Sequence, residues 1–248
     1  MTTNSLAKNK AKYDQAGAFD YLKRRTHRVR IDKSLRLIKK YKECQEGQKL
    51  KALDIGCGDG QVAIRIKEIG YEIFGLDIAQ DQVEVAKKNG VKAVVGDAEK
   101  KFPFKDSFFD VVFCGEIIEH LVDARPFILE INRILKKDGL LVLTTPNLTG
   151  LNDRVRMLFG YHPRHASPLS KNHYLHIRPF TYSSLKELLE KGGFQVNCLL
   201  SSKVRLSPFV SFDFDSYWLA NIFPNLGAAL IVEAYKKRQV SKIKLMDI

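Results

Sequence analysis

From Lys51 onward the apolar positions switch repeatedly between two patterns. Short β-type runs, KALDI (51–55), EIFGL (72–76), KAVV (92–95), FFDVVFC (108–114) and GLLVLTT (139–145), stand among stretches of helical spacing near 60–69, 80–89 and 123–136. Strands that alternate with helices predict βαβ units and a parallel sheet covered on both faces. Two later runs, FQVNCLL (194–200) and GAALIVEAY (227–235), complete a set of seven strands. The helix between Pro146 and these strands, TYSSLKELLEKGGF (181–194), has Thr181 as its N-cap and Gly192 as its stop. Upstream, Phe19, Leu22, Leu35, Ile38 and Tyr41 space one or two amphipathic helices between Ala18 and Lys42, studded with Lys and Arg.

The pattern breaks after Pro146. Residues 147–180 form a long connection holding four of the six histidines, His162, His165, His173 and His176. A connection of that length inside a compact domain is a functional segment or a small cap. The expected organisation is a basic helical extension (1–45), an α/β domain (46–235) carrying the 147–180 insertion, and a basic tail (236–248).

Composition narrows the class. With 248 residues, 45% apolar and 28% charged, the chain can bury a full core and is globular rather than disordered. Cys44, Cys57, Cys114 and Cys198 are scattered, with no CxxC pair. That excludes a disulfide framework and a thiolate metal site, and points to a reducing cytoplasm. The N-terminus lacks the apolar core of a signal peptide, and the uncharged stretch 216–232 is broken by two Asn, Pro224 and Gly227. No transmembrane span is expected. The net charge of +13 is unevenly placed: residues 1–50 hold 14 Lys and Arg against five Asp and Glu, and 236–248 hold five against one. The centre is balanced. Basic ends suit a nucleic acid, an acidic membrane surface or an anionic substrate, or are simply solvated.

The segment LDIGCGDGQVA (53–63) carries the clearest chemistry. Gly56, Gly58 and Gly60 follow a strand and precede a helix, where missing side chains let a ligand approach the backbone. The spacing is GxGxG rather than GxGxxG, and acidic residues stand at successive strand ends. Asp54 ends the first, Asp77 the second, and Asp97 follows the third. A carboxylate at Asp77 can accept both hydroxyls of a ribose, and Asp97 with the Ala98 amide can read an adenine edge. So many carboxylates would repel a pyrophosphate but tolerate an ammonium and a sulfonium.

These motifs, with GLDIA (75–79), GDAEKKFPF (96–104), FDVVFCGEIIEHL (109–121), ILKKDGLLVLTTPN (134–147) and HIRPFT (176–181), resemble class I S-adenosylmethionine-dependent methyltransferases over roughly residues 50–235. The resemblance implies a Rossmann-like doubly wound sheet of seven strands, mostly parallel with an antiparallel last hairpin strand, plus the N-terminal helices and an inserted cap. It also implies S-adenosyl-L-methionine as cofactor. Asp54, Gly56, Cys57, Gly58 and Gly60 would surround its methionine part, and Asp77 its ribose. Ile78, Asp97 and Ala98 would meet its adenine, and Gly115 would line the methyl pocket.

Within EIIEHL (116–121), a helical turn starting at Glu116 would put Glu116, Glu119 and His120 on one face. The arrangement resembles the ubiquinone-biosynthesis O-methyltransferases, in the methyltransferase type 11–12 group, and the enzymes that 2′-O-methylate small RNAs. That likeness implies a catalytic divalent cation, Mg or Mn, held by Glu116, Glu119, His120 and His176. Without a metal, His120, His173 or His176 would act as base. The expected reaction is O-methylation of a small or lipid-like acceptor, with 207–225 forming part of the substrate wall. The alternatives are an RNA ribose methyltransferase that uses the basic N-terminus, and a non-catalytic binder of the cofactor.

Overall fold

The computed structural model describes residues 25–45, 47–164, 176–207 and 214–240. Phe19, Leu22, His165 and His173 lie outside the described residues. In chain order the elements that build the site are α1 (Arg25–Glu43), β1 (Lys51–Ile55), α2 (Gln61–Glu68), β2 (Glu72–Asp77), α3 (Gln80–Lys88), β3 (Lys92–Val95) and β4 (Phe109–Gly115). A 3-10 turn (Ile118–His120) leads to α4 (Ala124–Ile134), β5 (Leu135–Pro146), α5 (Leu151–Leu158), α6 (Tyr182–Lys191) and β6 (Phe194–Leu200). The two-residue strands β7 (Val204–Arg205) and β8 (Asp215–Ser216), the short α7 (Leu219–Ile222), a second 3-10 turn (Pro224–Leu226) and β9 (Ala229–Lys236) follow.

Seven strands form one sheet in the order β3-β2-β1-β4-β5-β9-β6. β3, β2, β1, β4 and β5 run parallel, and β9 lies antiparallel between β5 and β6, with Leu143 opposite Val232. The fold is therefore Rossmann-like and doubly wound, with the expected single antiparallel strand. The chain winds outward from β1 to β3, then crosses to β4 and winds the other way. That reversal opens a crevice at the carboxyl ends of β1 and β4, where ligands of such sheets bind.

Alternate residues of each strand serve opposite faces. Leu53, Ile55, Val112 and Cys114 pack with Phe127, Ile131 and Leu185 on one side. Ala52, Val111, Phe113 and Val142 pack with Ala63, Ile66 and Val83 on the other. Full burial of each larger side chain stabilises the fold by about 1.5–3 kcal/mol.

Three expectations change. Helix α1 is not an appendage: Ile31, Leu35 and Ile38 are buried in the second core, so the helix is part of the layer on that face. The helix expected over 123–136 ends at Ile134, and β5 begins at Leu135 rather than 139. Leu135 pairs with Phe109, the register then slips before Leu140 meets Val111, and Asp138 absorbs the bulge with φ 59°. Finally, Phe214, Trp218 and Phe223 are 62%, 69% and 50% exposed. These three aromatic side chains face outward instead of walling a cavity, while Ala220 among them is buried.

Candidate active site

The glycine loop is held against β2 by the Gly56 amide, which donates to the Leu76 carbonyl at 2.7 Å. Gly56 has φ 73°, a conformation that strains any residue with a side chain, and a Cβ there would have to displace the Ile117 side chain, 2.2 Å away. At Gly58 the reverse holds: with φ 51°, a Cβ would project into open space beside the loop. Asp77, at the end of β2, braces this loop by accepting from the Gly58 amide at 2.8 Å and the Ala79 amide at 2.9 Å. Burial pushes its carboxyl above the usual range, and the amide bonds counter part of that rise.

Asp54 lies behind the loop, 2% exposed. Burial first and the Asp77 charge second push its pKa well up, against a smaller opposing pull from the Ala63 amide. Its Oδ2 is buried with no hydrogen-bond partner. Asp97 follows β3 and accepts from the Glu99 amide at 2.9 Å. Ile78 and Ala98 are half-buried nearby in sequence, and Gly115 ends β4. Cys57 behaves differently from its neighbours: its thiol is buried and packs over Gly75, so it offers the loop only its peptide groups.

The turn after β4 differs from the expected helical start. The Glu116 amide donates to the Thr144 carbonyl, prolonging the sheet by one bond, and Glu116 takes φ 60°. Its carboxylate is thereby turned toward α1, where Arg30 Nη1 lies 2.7 Å from Oε2. Thr144 Oγ1 donates to the other oxygen at 3.3 Å. Glu119, one turn later, is 1% exposed and accepts from Thr145 Oγ1 at 3.0 Å. Burial, then the nearby Glu116 charge, pushes its pKa well up. His120 Nε2 lies 3.9 Å from Glu119 Oε1, and the rings of His120 and His176 meet edge-on with centroids 4.9 Å apart. The Arg178 amide ties the chain after His176 to this turn by donating to the Glu119 carbonyl at 3.0 Å.

Ligand atoms of Glu119, His120 and His176 all lie within 4.8 Å of one another. The expected quartet is thus a trio: Glu116 stands apart, engaged by Arg30 and Thr144. Two imidazoles and a carboxylate are a donor set suited to a divalent cation. Beside Glu116 opens a cavity of about 630 Å³, bounded by the starts of α1 and α5, the end of β5, and the segments 202–205 and 226–229. Neither His120 nor His176 lines it.

Residues 53–143 match the family model described as a methyltransferase domain. Two curated relatives are named ubiquinone biosynthesis O-methyltransferase. The one from Rickettsia prowazekii is 32% identical over 141 residues, 55% of this chain and 55% of its own length. The one from Pelagibacter ubique is 36% identical over 104 residues, 40% and 43% of the two chains. A solved SAM-dependent methyltransferase of Thermotoga maritima, described as a possible histamine N-methyltransferase, superimposes with a TM-score of 0.59. At 24% identity over 86% of this chain and 91% of that one, it is a likeness of fold. Residues 53–143 are a class I S-adenosylmethionine-dependent methyltransferase domain. The chain spans about half the length of the curated relatives it matches.

Several residues around the candidate site are absent from the sequence-based expectations. Arg30 is 3% exposed and reaches the turn after β4 from outside the matched segment. Its signal was available: it shares the buried stripe of α1 with Ser34 and Ile38, four and eight residues on, and an arginine in such a stripe needs an inward partner. Thr144 and Thr145 read as strand residues until their hydroxyls are seen on Glu116 and Glu119. Asn147 donates to the Asn225 and Gly227 carbonyls and accepts from Thr149, which ties the 147–149 loop to the 225–227 segment beside the cavity.

Proposed function

We propose that the protein transfers a methyl group from S-adenosyl-L-methionine to an oxygen atom of a small acceptor. The reading is carried chiefly by the buried, partnerless Asp54 Oδ2 behind an open glycine loop. An unpaired buried acceptor is costly, and an ammonium group reaching over Gly58 would relieve it. The same cradle offers Asp77 to the ribose hydroxyls, Ile78 to the adenine face, and Asp97 with the Ala98 amide to its edge. Bound there, the cofactor supplies a methyl carbon on a positively charged sulfur, activated for displacement.

The chain's own task is then to orient the acceptor and take its proton. A hydroxyl needs that help more than an amine does. Support for oxygen comes from the Glu119, His120 and His176 group and from the names of the curated relatives. These three side chains would hold a divalent cation, magnesium or manganese, which lowers the pKa of a coordinated hydroxyl. Without it, a neutral imidazole of His120 or His176 would accept the proton. The insertion from 147, through α5 and Arg164, supplies one wall of the acceptor cavity. Among the described residues no helix is long and apolar enough to cross a membrane. With all four cysteines free, we assign the protein to the cytoplasm.

Incubation with methyl-labelled cofactor and paired panels of phenols and amines tests the assignment. Label in methyl ethers is expected. Label confined to amines, from a protein that binds the cofactor, would contradict it. Manganese titration followed by electron paramagnetic resonance tests the cation separately: the bound signal should disappear in Glu119→Gln. A signal unchanged in that variant would remove the trio from consideration.

A further inference from the structure

We infer that Arg178 is a positioning residue: by binding the Glu119 and Val122 carbonyls it holds His176 against Glu119 and His120. The inference rests on the proposed reading of those three side chains as the group that handles the acceptor's proton. Arg178 reaches the turn after β4 twice. Its amide donates to the Glu119 carbonyl at 3.0 Å, and its guanidinium Nε donates to the Val122 carbonyl. Two acceptors three residues apart fix both the place and the direction of the chain that leaves His176. Val122 is itself held from the other side. Its amide donates to Glu99 Oε1 at 2.6 Å, and the Glu99 amide donates to Asp97 at 2.9 Å. The partner of the guanidinium is thereby tied to the segment proposed to meet the adenine.

The neighbours of Arg178 along the chain contribute little to placing His176. Ile177 is 51% exposed, and Pro179 is exposed and has no N–H to donate. The next residue fixed by packing is Phe180, which is buried in the first core and whose carbonyl accepts from the Leu148 amide at 2.8 Å. A tether of four residues from Phe180 spans up to about 14 Å when extended, and the bonds of Arg178 halve it. Charge favours the same placement. Asp123 caps α4 by accepting from the Arg125 amide at 3.0 Å. Arg125 first, with the Arg178 charge as a smaller contribution, holds the Asp123 carboxyl below its usual range. The guanidinium is thus drawn toward a fixed helix start as well as toward the Val122 carbonyl.

Nuclear magnetic resonance of the full chain, with histidine as its only protonated residue type, tests this without a cation. The His120 and His176 rings should show cross-relaxation in the parent. The signal should be lost in Arg178→Met, which keeps the stem but no donor, and return in Arg178→Lys, which restores a charged donor. Because Arg178 is exposed, both variants should melt close to the parent, so a general loss of structure is told apart from a displaced His176. Manganese should bind about fivefold more weakly to Arg178→Met, the scale of one exposed hydrogen bond, with affinity for S-adenosylhomocysteine unchanged. A ring contact that survives in Arg178→Met, is lost equally in Arg178→Lys, or is absent from the parent would overturn the inference. Failure of the parent to bind manganese would refute the cation reading instead, and the ring contact would still decide the role of Arg178.

Discussion

Asp54 illustrates how the proposed binding group for the cofactor's ammonium would be held at a cost to stability. Its pKa is raised in the folded protein, so the folded state keeps a proton that the unfolded chain releases near its ordinary value of about 3.9. As pH rises from there toward the folded pKa, the unfolded state binds fewer protons and stability falls. Asp54→Asn removes that penalty with almost no change of shape. The variant should melt higher than the parent at neutral pH, with the gap closing toward about pH 4, while its affinity for S-adenosylhomocysteine drops. Melting curves across that range check it. A gap independent of pH would mean the carboxylate is not the source. The same residue shows the reach of sequence: its position at a strand end was legible, whereas its missing partner depends on Asp77, Ala63 and the loop in three dimensions.

The sheet was legible element by element because each strand is a short apolar run that announces its own burial. Helix α1 was legible as amphipathic, but not as a core element, because its partners lie in strands far along the chain. The turn at Glu116 was misread for a related reason. Helical spacing of two carboxylates and a histidine is a local pattern, and the carbonyl of Thr144, supplied by β5, overrides it. The role of α1 leads to a paired prediction. Ile38→Ala should destabilise the protein by about 2–5 kcal/mol, since Ile38 is fully buried. Deletion of residues 1–16, a segment with few apolar residues, should leave the denaturation midpoint nearly unchanged. Urea titrations of both variants distinguish them, and the reverse ranking would contradict the placement of the core boundary within α1.

Across the whole molecule, the doubly wound sheet brings a cradle and a cavity to one edge. The loop after β1 and the ends of β2 and β3 form the acidic cradle, and the turn after β4 separates it from the cavity. The cradle was readable because its acidic residues follow successive strands at regular spacing. The cavity was not, because it is assembled from α1, α5 and the segments around 203 and 228, which are distant in sequence. Everything proposed for the cavity depends on the cradle binding the cofactor. Calorimetric titration of the full chain with S-adenosylhomocysteine, repeated on Asp77→Ala, tests that dependence most directly. The parent should bind at a single site, and the folded variant should lose about 1.5–3 kcal/mol of binding free energy, the worth of hydrogen bonds to a charged group. No binding by the parent, or equal affinity in the two proteins, would contradict the account.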